Sequence, residues 1–226
     1  MVAVAAPARE TGVGSRGGLG SRGVELIPSR LSARLDEHAD AARAFRAARH
    51  RFLGGERVDM GQLAARLGVE RTSLFRWVGN RDELLAEVLW SLAVPTIDQM
   101  DAAVPLHGAD RVQQLLSRFV DALIENTAFR TFLAREPARA LRLLTARHSP
   151  VHRRFVAVVE ALLQEELAAG FMLPVLPAHD LAGVLVRIAE SFAYADLIAG
   201  EVPDAARASA AFALVLRSTR PSLDSP

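Results

Sequence analysis

Residues 60–77, MGQLAARLGVERTSLFRW, place small and apolar side chains where two short helices crossing at a tight turn need them. Leu63, Leu67, Val69, Leu74 and Trp77 are the inward positions. Ala64 is the small residue at the closest crossing, and Gly68 supplies the turn. A helix-turn-helix requires this pattern because its second helix must stand clear of the first to enter a DNA major groove. Helical hairpins share two or three of these features by chance. All of them in one stretch point to DNA binding.

On the second helix the side chains sort by angle at about 100° per residue. Leu74, Trp77 and Val78 fall inward, Thr72, Ser73 and Arg76 fall outward, and Arg71 sits in the first turn. Arg76 is the foremost candidate for a base contact, because a guanidinium bonds guanine O6 and N7 together. Thr72, Ser73 and Arg71 stand behind it, since hydroxyls and a second arginine reach either bases or phosphates. Arg81 opens the following helix, where a cation opposes the macrodipole. Helix N-termini also bind phosphate through free N–H groups, so Arg81 reads as a phosphate contact.

Outward from this stretch the period is helical throughout, and no strand is expected. Leu31, Leu35, Ala39, Ala42, Phe45, Arg49 and Phe52 step by three and four, predicting one helix that stops at Gly54-Gly55. Asp59 with Gln62, Asn80 with Glu83 and Asp110 with Gln113 have the spacing of capping boxes. The helix from Arg81 is expected to run at least to Ala93, before Pro95. Further helices are expected over about 128–135, 137–146, 151–169, 178–199 and 204–218, divided by Pro137, Gly170, Gly200 and Pro203. The expectation is an all-α protein of nine or ten helices. Residues 1–28, rich in glycine, form a flexible tail; 29–94 form the DNA-binding domain; 95–226 form a larger helical domain. The tail holds a literal GxGxxG at 12–17, but no βαβ unit surrounds it, so a dinucleotide site is not implied. An arginine arm along phosphates or a minor groove is the functional alternative for this tail.

The 226 residues include no cysteine, which excludes disulfides and thiolate chemistry. Every basic residue other than histidine is arginine. The net charge of +1 conceals a gradient: residues 1–82 hold 14 Arg against 9 Asp and Glu, and the remainder 13 against 17. A basic amino-terminal part suits a polyanion. No apolar run reaches the roughly 18–20 residues of a membrane span, and the first residues do not read as a secretory leader. A soluble cytoplasmic protein is therefore expected. His148 and His152 have the spacing of a zinc pair, but Pro150 disfavours a continuous helix through them. No cofactor, metal site or catalytic motif is expected.

The segment GVERTSLFRWVGNRDELL resembles the turn, reading helix and following helix of the TetR (tetracycline-repressor) family of transcriptional regulators. That signature runs approximately G-V-S-x-x-T-L-Y-R-H-F-x-S-K-E-E-L-L, and the resemblance covers about residues 38–90. The stretch LFRWVGNRDELLAEVLW is also similar to regulators of the QsdR type. By position, the resemblance assigns Gly68 and Val69 to the turn, Ser73 to Arg76 to the reading helix, and Arg81 to the phosphate-binding lysine's place. Phe75 stands where a tyrosine hydroxyl usually meets phosphate. Trp77 and Val78 replace the usual histidine and phenylalanine.

The resemblance implies a carboxy-terminal domain that dimerises and holds a small-molecule effector. Periodicity supports the first half separately. The helix around 181–198 is apolar on most sides, with Gly183, Arg187, Glu190 and Tyr194 forming one polar strip. The last helix carries Ala205, Ala208, Ala211, Phe212 and Val215. Together they suit half of a four-helix bundle across a two-fold axis. Trp90, Phe119, Phe129, Phe132, Phe155, Met172 and Phe192 are the candidate lining of a pocket for a small apolar or amphipathic effector. The leading reading is a homodimeric repressor of palindromic operator DNA. The rival is a helical enzyme or small-molecule carrier whose helix-turn-helix is only a packing element.

Overall fold

The computed structural model describes residues 18–220. Among them are thirteen α-helices, a closing 3-10 turn (Arg217–Thr219) and no strand. The class is all-α.

The amino-terminal head begins at α2 (Arg30–Leu35), capped by Ser29. The Ser29 hydroxyl accepts from Ser32 N at 2.9 Å, and Ser32 Oγ accepts from Ser29 N at 2.8 Å. The single helix expected across 31–52 is broken at 36–38, where Glu37 and His38 N–H groups close α2 on the Arg34 carbonyl. The chain restarts as α3 (Ala39–Leu53), which buries Ala41, Ala44, Ala48 and Phe52. The stripe differs from the expected Ala39, Ala42 and Phe45. This helix carries alanine on nearly every side, so tertiary fit rather than side-chain size selects the buried face.

Three ends follow from local chemistry. Asp59 caps α4 (Met60–Leu67), accepting from Gly61 N at 2.9 Å and Gln62 N at 3.0 Å. Gln62 does not reciprocate, since its Oε1 accepts from Arg51 Nη2 at 2.8 Å. The reading helix α5 (Arg71–Val78) follows the Gly68 turn. Asn80 and Glu83 form a full capping box at the start of α6 (Arg81–Ala102). Pro95 lies inside α6 and does not end it. A proline there forfeits one backbone bond, but α6 is packed along its length by neighbouring helices. The expected boundary at 94/95 thus falls inside one rod that serves both head and body.

The body comprises α7 (Gly108–Glu125), α8 (Thr127–Arg135), α9 (Pro137–Thr145), α10 (Pro150–Ala168), α11 (Ala178–Ala193), α12 (Ala195–Ile198) and α13 (Ala205–Leu216). Helix α7 lies along α13, and α10 along α11, with α11 also touching α7 and α13. Asp110 is not the cap of α7, which starts after His107; it reaches out to Arg220 at 2.5 Å instead. His148 and His152 are separated by the start of α10 at Pro150, and His152 is buried against Glu190 at 2.8 Å.

Part of the expected tail is structured. Helix α1 (Leu19–Leu26) packs on α6 and α10. Leu19 is buried, and Gly20 N donates to Asp98 Oδ1 at 2.6 Å. A Cβ at Gly23 would collide with the Trp90 ring. This helix is poor in large apolar residues because its close approach to α6 takes small ones. The GxGxxG at 12–17 lies outside the described residues. Beneath α1, the fully buried Arg154 of α10 pairs with Glu87 of α6, with Nη1–Oε2 at 3.0 Å and Nη2–Oε1 at 2.9 Å. Its Nε donates to Ile27 O at 2.9 Å. No helix among the described residues is long and apolar enough to cross a membrane.

Candidate nucleic-acid interface

Gly68 closes α4 in the left-handed conformation (φ +68°, ψ 34°), with Val69 N donating to Ala64 O at 3.1 Å. A Cβ there would meet nothing within 4 Å, so the glycine answers to backbone conformation and not to space. Leu63, Ala64, Leu74 and Val78 are buried between α4, α5 and α3, while Leu67, Val69 and Trp77 are half-buried against the same core.

This anchoring turns the other face of α5 to solvent. Arg71, Thr72, Phe75 and Arg76 are exposed, and Ser73 is half-buried. The Arg71 guanidinium sits over the Phe75 ring, 5.4 Å from its centroid. Phe75 thus has no hydroxyl to offer a phosphate but supports an arginine on its ring face. Thr72 Oγ1 lies 3.3 Å from Glu70 Oε2, and no side chain caps the N–H groups of the first turn of α5. At the other end, Arg34 Nη1 donates to the Arg76 carbonyl at 2.6 Å. That contact fixes the last turn of the reading helix from α2. It spans 42 residues of sequence, and no local pattern signals it.

Arg81, expected as a phosphate contact, is engaged within the protein. Its guanidinium grips Glu136 through Nη1–Oε2 at 2.6 Å and Nη2–Oε1 at 2.5 Å, and its Nε donates to the Val58 carbonyl. The side chain is only 13% exposed. The cation that opposes the dipole of α6 is compensated by a carboxylate from the α8–α9 junction. The Arg81 hydrogen bonds hold the Glu136 carboxyl below its usual range against the opposing effect of burial. Beside it, Arg139 and Arg142 both pair with Asp82 in the first turn of α6, and Arg135 donates to the Gly55 carbonyl. The α8–α9 corner thus holds both the start of α6 and the loop leading to Asp59.

A cavity of about 70 Å³ lies between α6, α7, α8, α10 and the end of α11. Phe119, Phe129 and Phe155 line it, with Leu89, Leu92 and Leu123 among their neighbours. The other four expected lining residues stand elsewhere. Trp90 packs edge-on to Phe155 at 5.1 Å and faces Arg154; Phe132 packs on Phe52 at 5.5 Å. Met172 is buried in the α10–α11 connection, and Phe192 lies under Arg207 beside a separate groove. Periodicity marks a side chain as inward without saying whether it meets a helix or a void. The polar members of the lining, Thr96, Asn126 and Tyr194, were not identified in the sequence. Tyr194 carried a signal as a lone aromatic hydroxyl in an apolar run. Among the described residues no group of three or more His, Cys, Asp or Glu side chains is arranged to hold a metal.

Residues 107–217 match the family profile described as "Tetracyclin repressor-like, C-terminal domain". The fold is similar to that of the R. erythropolis transcriptional repressor QsdR from the TetR family, with a TM-score of 0.73 and 30% identity over 82% of this chain and 99% of that one. It is also similar to a protein from Mesorhizobium loti MAFF303099 described as a TetR-family regulator, with a TM-score of 0.50 and 14% identity over 85% of this chain and 100% of that one. The second likeness bears on fold alone. No curated protein matches the chain. A helix-turn-helix on an all-α body, a carboxy-terminal family match and near-complete coverage of the QsdR structure agree: the chain belongs to the TetR family of transcriptional regulators.

Proposed function

We propose that this protein is a ligand-responsive repressor that acts in the cytoplasm and binds palindromic operator DNA as a homodimer. The observation that carries the reading is the outward face of α5, where Arg71, Thr72 and Arg76 are exposed while Leu74 and Val78 are buried. Arg76 is assigned base contact, Thr72 and Ser73 base or phosphate contact, and Arg71, seated on Phe75, phosphate contact.

The dimer is formed by α11 and α13. Val184 on α11 and Leu214 on α13 are exposed although apolar, at 43% and 66%. Ile188, Ala211 and Val215 are half-buried nearby in the same two helices. Pairing of these helices across a two-fold axis would set two α5 helices about 34–36 Å apart, one turn of DNA.

The ligand response runs through α8. This nine-residue helix is about 13 Å long at about 1.5 Å per residue. Its Phe129 lines the cavity, while Phe132 packs on Phe52 of α3 and Arg135 and Glu136 grip Gly55 and Arg81. An effector that shifts α8 would move the support of the head and respace the reading helices. Its differential affinity for the two states sets how far DNA is released. Footprinting on the DNA upstream of its own gene, with sedimentation of the free protein, tests the reading. Two protected half-sites and a dimer are expected; a monomer, or no salt-sensitive protection, would refute it.

A further inference from the structure

Tyr194 is the one tyrosine of the chain and is 4% exposed, at the end of α11. It lines the cavity with its ring 6.1 Å from that of Phe129. Among the described residues its hydroxyl makes no hydrogen bond; the neighbouring Glu190 and Arg130 act on it only through their charge. Those two are already engaged. Glu190 accepts from Arg187 Nη1 at 2.7 Å and meets His152 Nδ1 at 2.8 Å, while Arg130 pairs with Asp196 at 2.5 Å. Buried phenols normally find a partner, so an unpaired hydroxyl on a residue of the cavity wall is open to one.

The chemistry of that partner follows from the walls. No charged side chain lines the cavity, and most of its residues are aliphatic or aromatic. A charged ligand would lose its hydration there with no counter-charge to compensate. Thr96 Oγ1 already donates to Leu92 O at 3.2 Å, and Asn126 Oδ1 is spent capping α8. Burial and the Glu190 carboxylate raise the Tyr194 pKa far above its ordinary 10.0, so the hydroxyl keeps its proton. A neutral phenol donates better than it accepts, because its oxygen lone pair is shared with the ring.

We propose that the cavity binds a neutral, mainly aliphatic molecule bearing a carbonyl group, whose oxygen accepts a hydrogen bond from the Tyr194 hydroxyl. This rests on the reading of the cavity as the effector site. The small volume calls for short probes. Isothermal titration of the full-length protein without DNA would compare hexanamide, methyl hexanoate, hexanoate and hexylammonium. The two neutral carbonyl compounds bind, and the two ions bind at least about tenfold more weakly. Tyr194→Phe weakens the neutral compounds about tenfold without lowering the melting temperature of the ligand-free protein, since the hydroxyl has no partner to lose. Equal or tighter binding of hexanoate or hexylammonium, unchanged affinity in Tyr194→Phe, or no binding of any probe would overturn the proposal. Binding of hexanamide with no change in operator affinity would refute the effector reading and leave the ligand class standing.

Discussion

Arg81 and Glu136 are 55 positions apart in sequence and joined by two hydrogen bonds of 2.6 and 2.5 Å. They tie the first turn of α6 to the corner between α8 and α9. Glu136→Gln keeps the shape and removes the charge, so it should lower stability at neutral pH by about 1–3 kcal/mol. Arg81 holds the carboxyl below its ordinary value of 4.5. A depressed carboxyl stabilises fully above the unfolded value and loses that contribution as pH falls through the folded one. Denaturation at neutral pH and at pH 3 should therefore show the gap between wild type and Glu136→Gln closing on the acid side. The same measurement distinguishes a latch from a phosphate contact. Arg81→Ala should lower stability, where a pure phosphate contact would only flatten the salt dependence of DNA binding.

Two glycines bracket the reading helix and differ in what they tolerate. Gly68 has φ +68° with open space around it, so Gly68→Ala should cost about 1 kcal/mol from the backbone alone. Gly79 has φ +73°, and a Cβ there would fall on the Glu83 carboxylate that completes the capping box with Asn80. Gly79→Ala should cost about 2–3 kcal/mol, adding the lost cap to the strained backbone. Chemical denaturation of the two variants checks the order.

How much was legible follows the range over which each feature is decided. Asp59, Gly68 and the Asn80–Glu83 box are settled within one turn of chain, and the sequence displays them. The burial of Leu74 and Val78 likewise follows from helical period. The partner of Arg81, the clasp of Arg34 on α5 and the burial of α1 depend on segments tens of residues away. Asp110 has the spacing of a cap, but the helix begins at Gly108, with His107 in the cap position. In the cavity, Phe119 and Trp90 were indistinguishable as inward aromatics. Only assembly shows that one faces space and the other Gly23 and Arg154.

Glu87 and Arg154 form a buried ion pair joining α6 to α10. Removing one partner strands the other, so Glu87→Leu should destabilise by about 3–5 kcal/mol. The double change Glu87→Leu with Arg154→Met should recover most of that loss, because a buried pair is costly to desolvate. Thermal denaturation of the single and double variants decides it.

Leu214 is the one exposed large apolar residue of α13. An aspartate there would place a charge in the proposed dimer face while leaving the inner residues Ala208, Phe212 and Leu216 untouched. Leu214→Asp should shift sedimentation from dimer to monomer with little change in helical content. It should also reduce operator affinity, because each half-site would then bind alone.

In the proposed function, α5 reads base sequence through Arg76. Selection from a random duplex library, followed by anisotropy on the recovered sequences, tests it most directly. Enrichment of an inverted repeat is expected, and for Arg76→Ala a loss of about 1–3 kcal/mol with relaxed preference at one position of each half-site. Recovery of no common sequence, or an Arg76→Ala variant that binds and discriminates like the wild type, would contradict it.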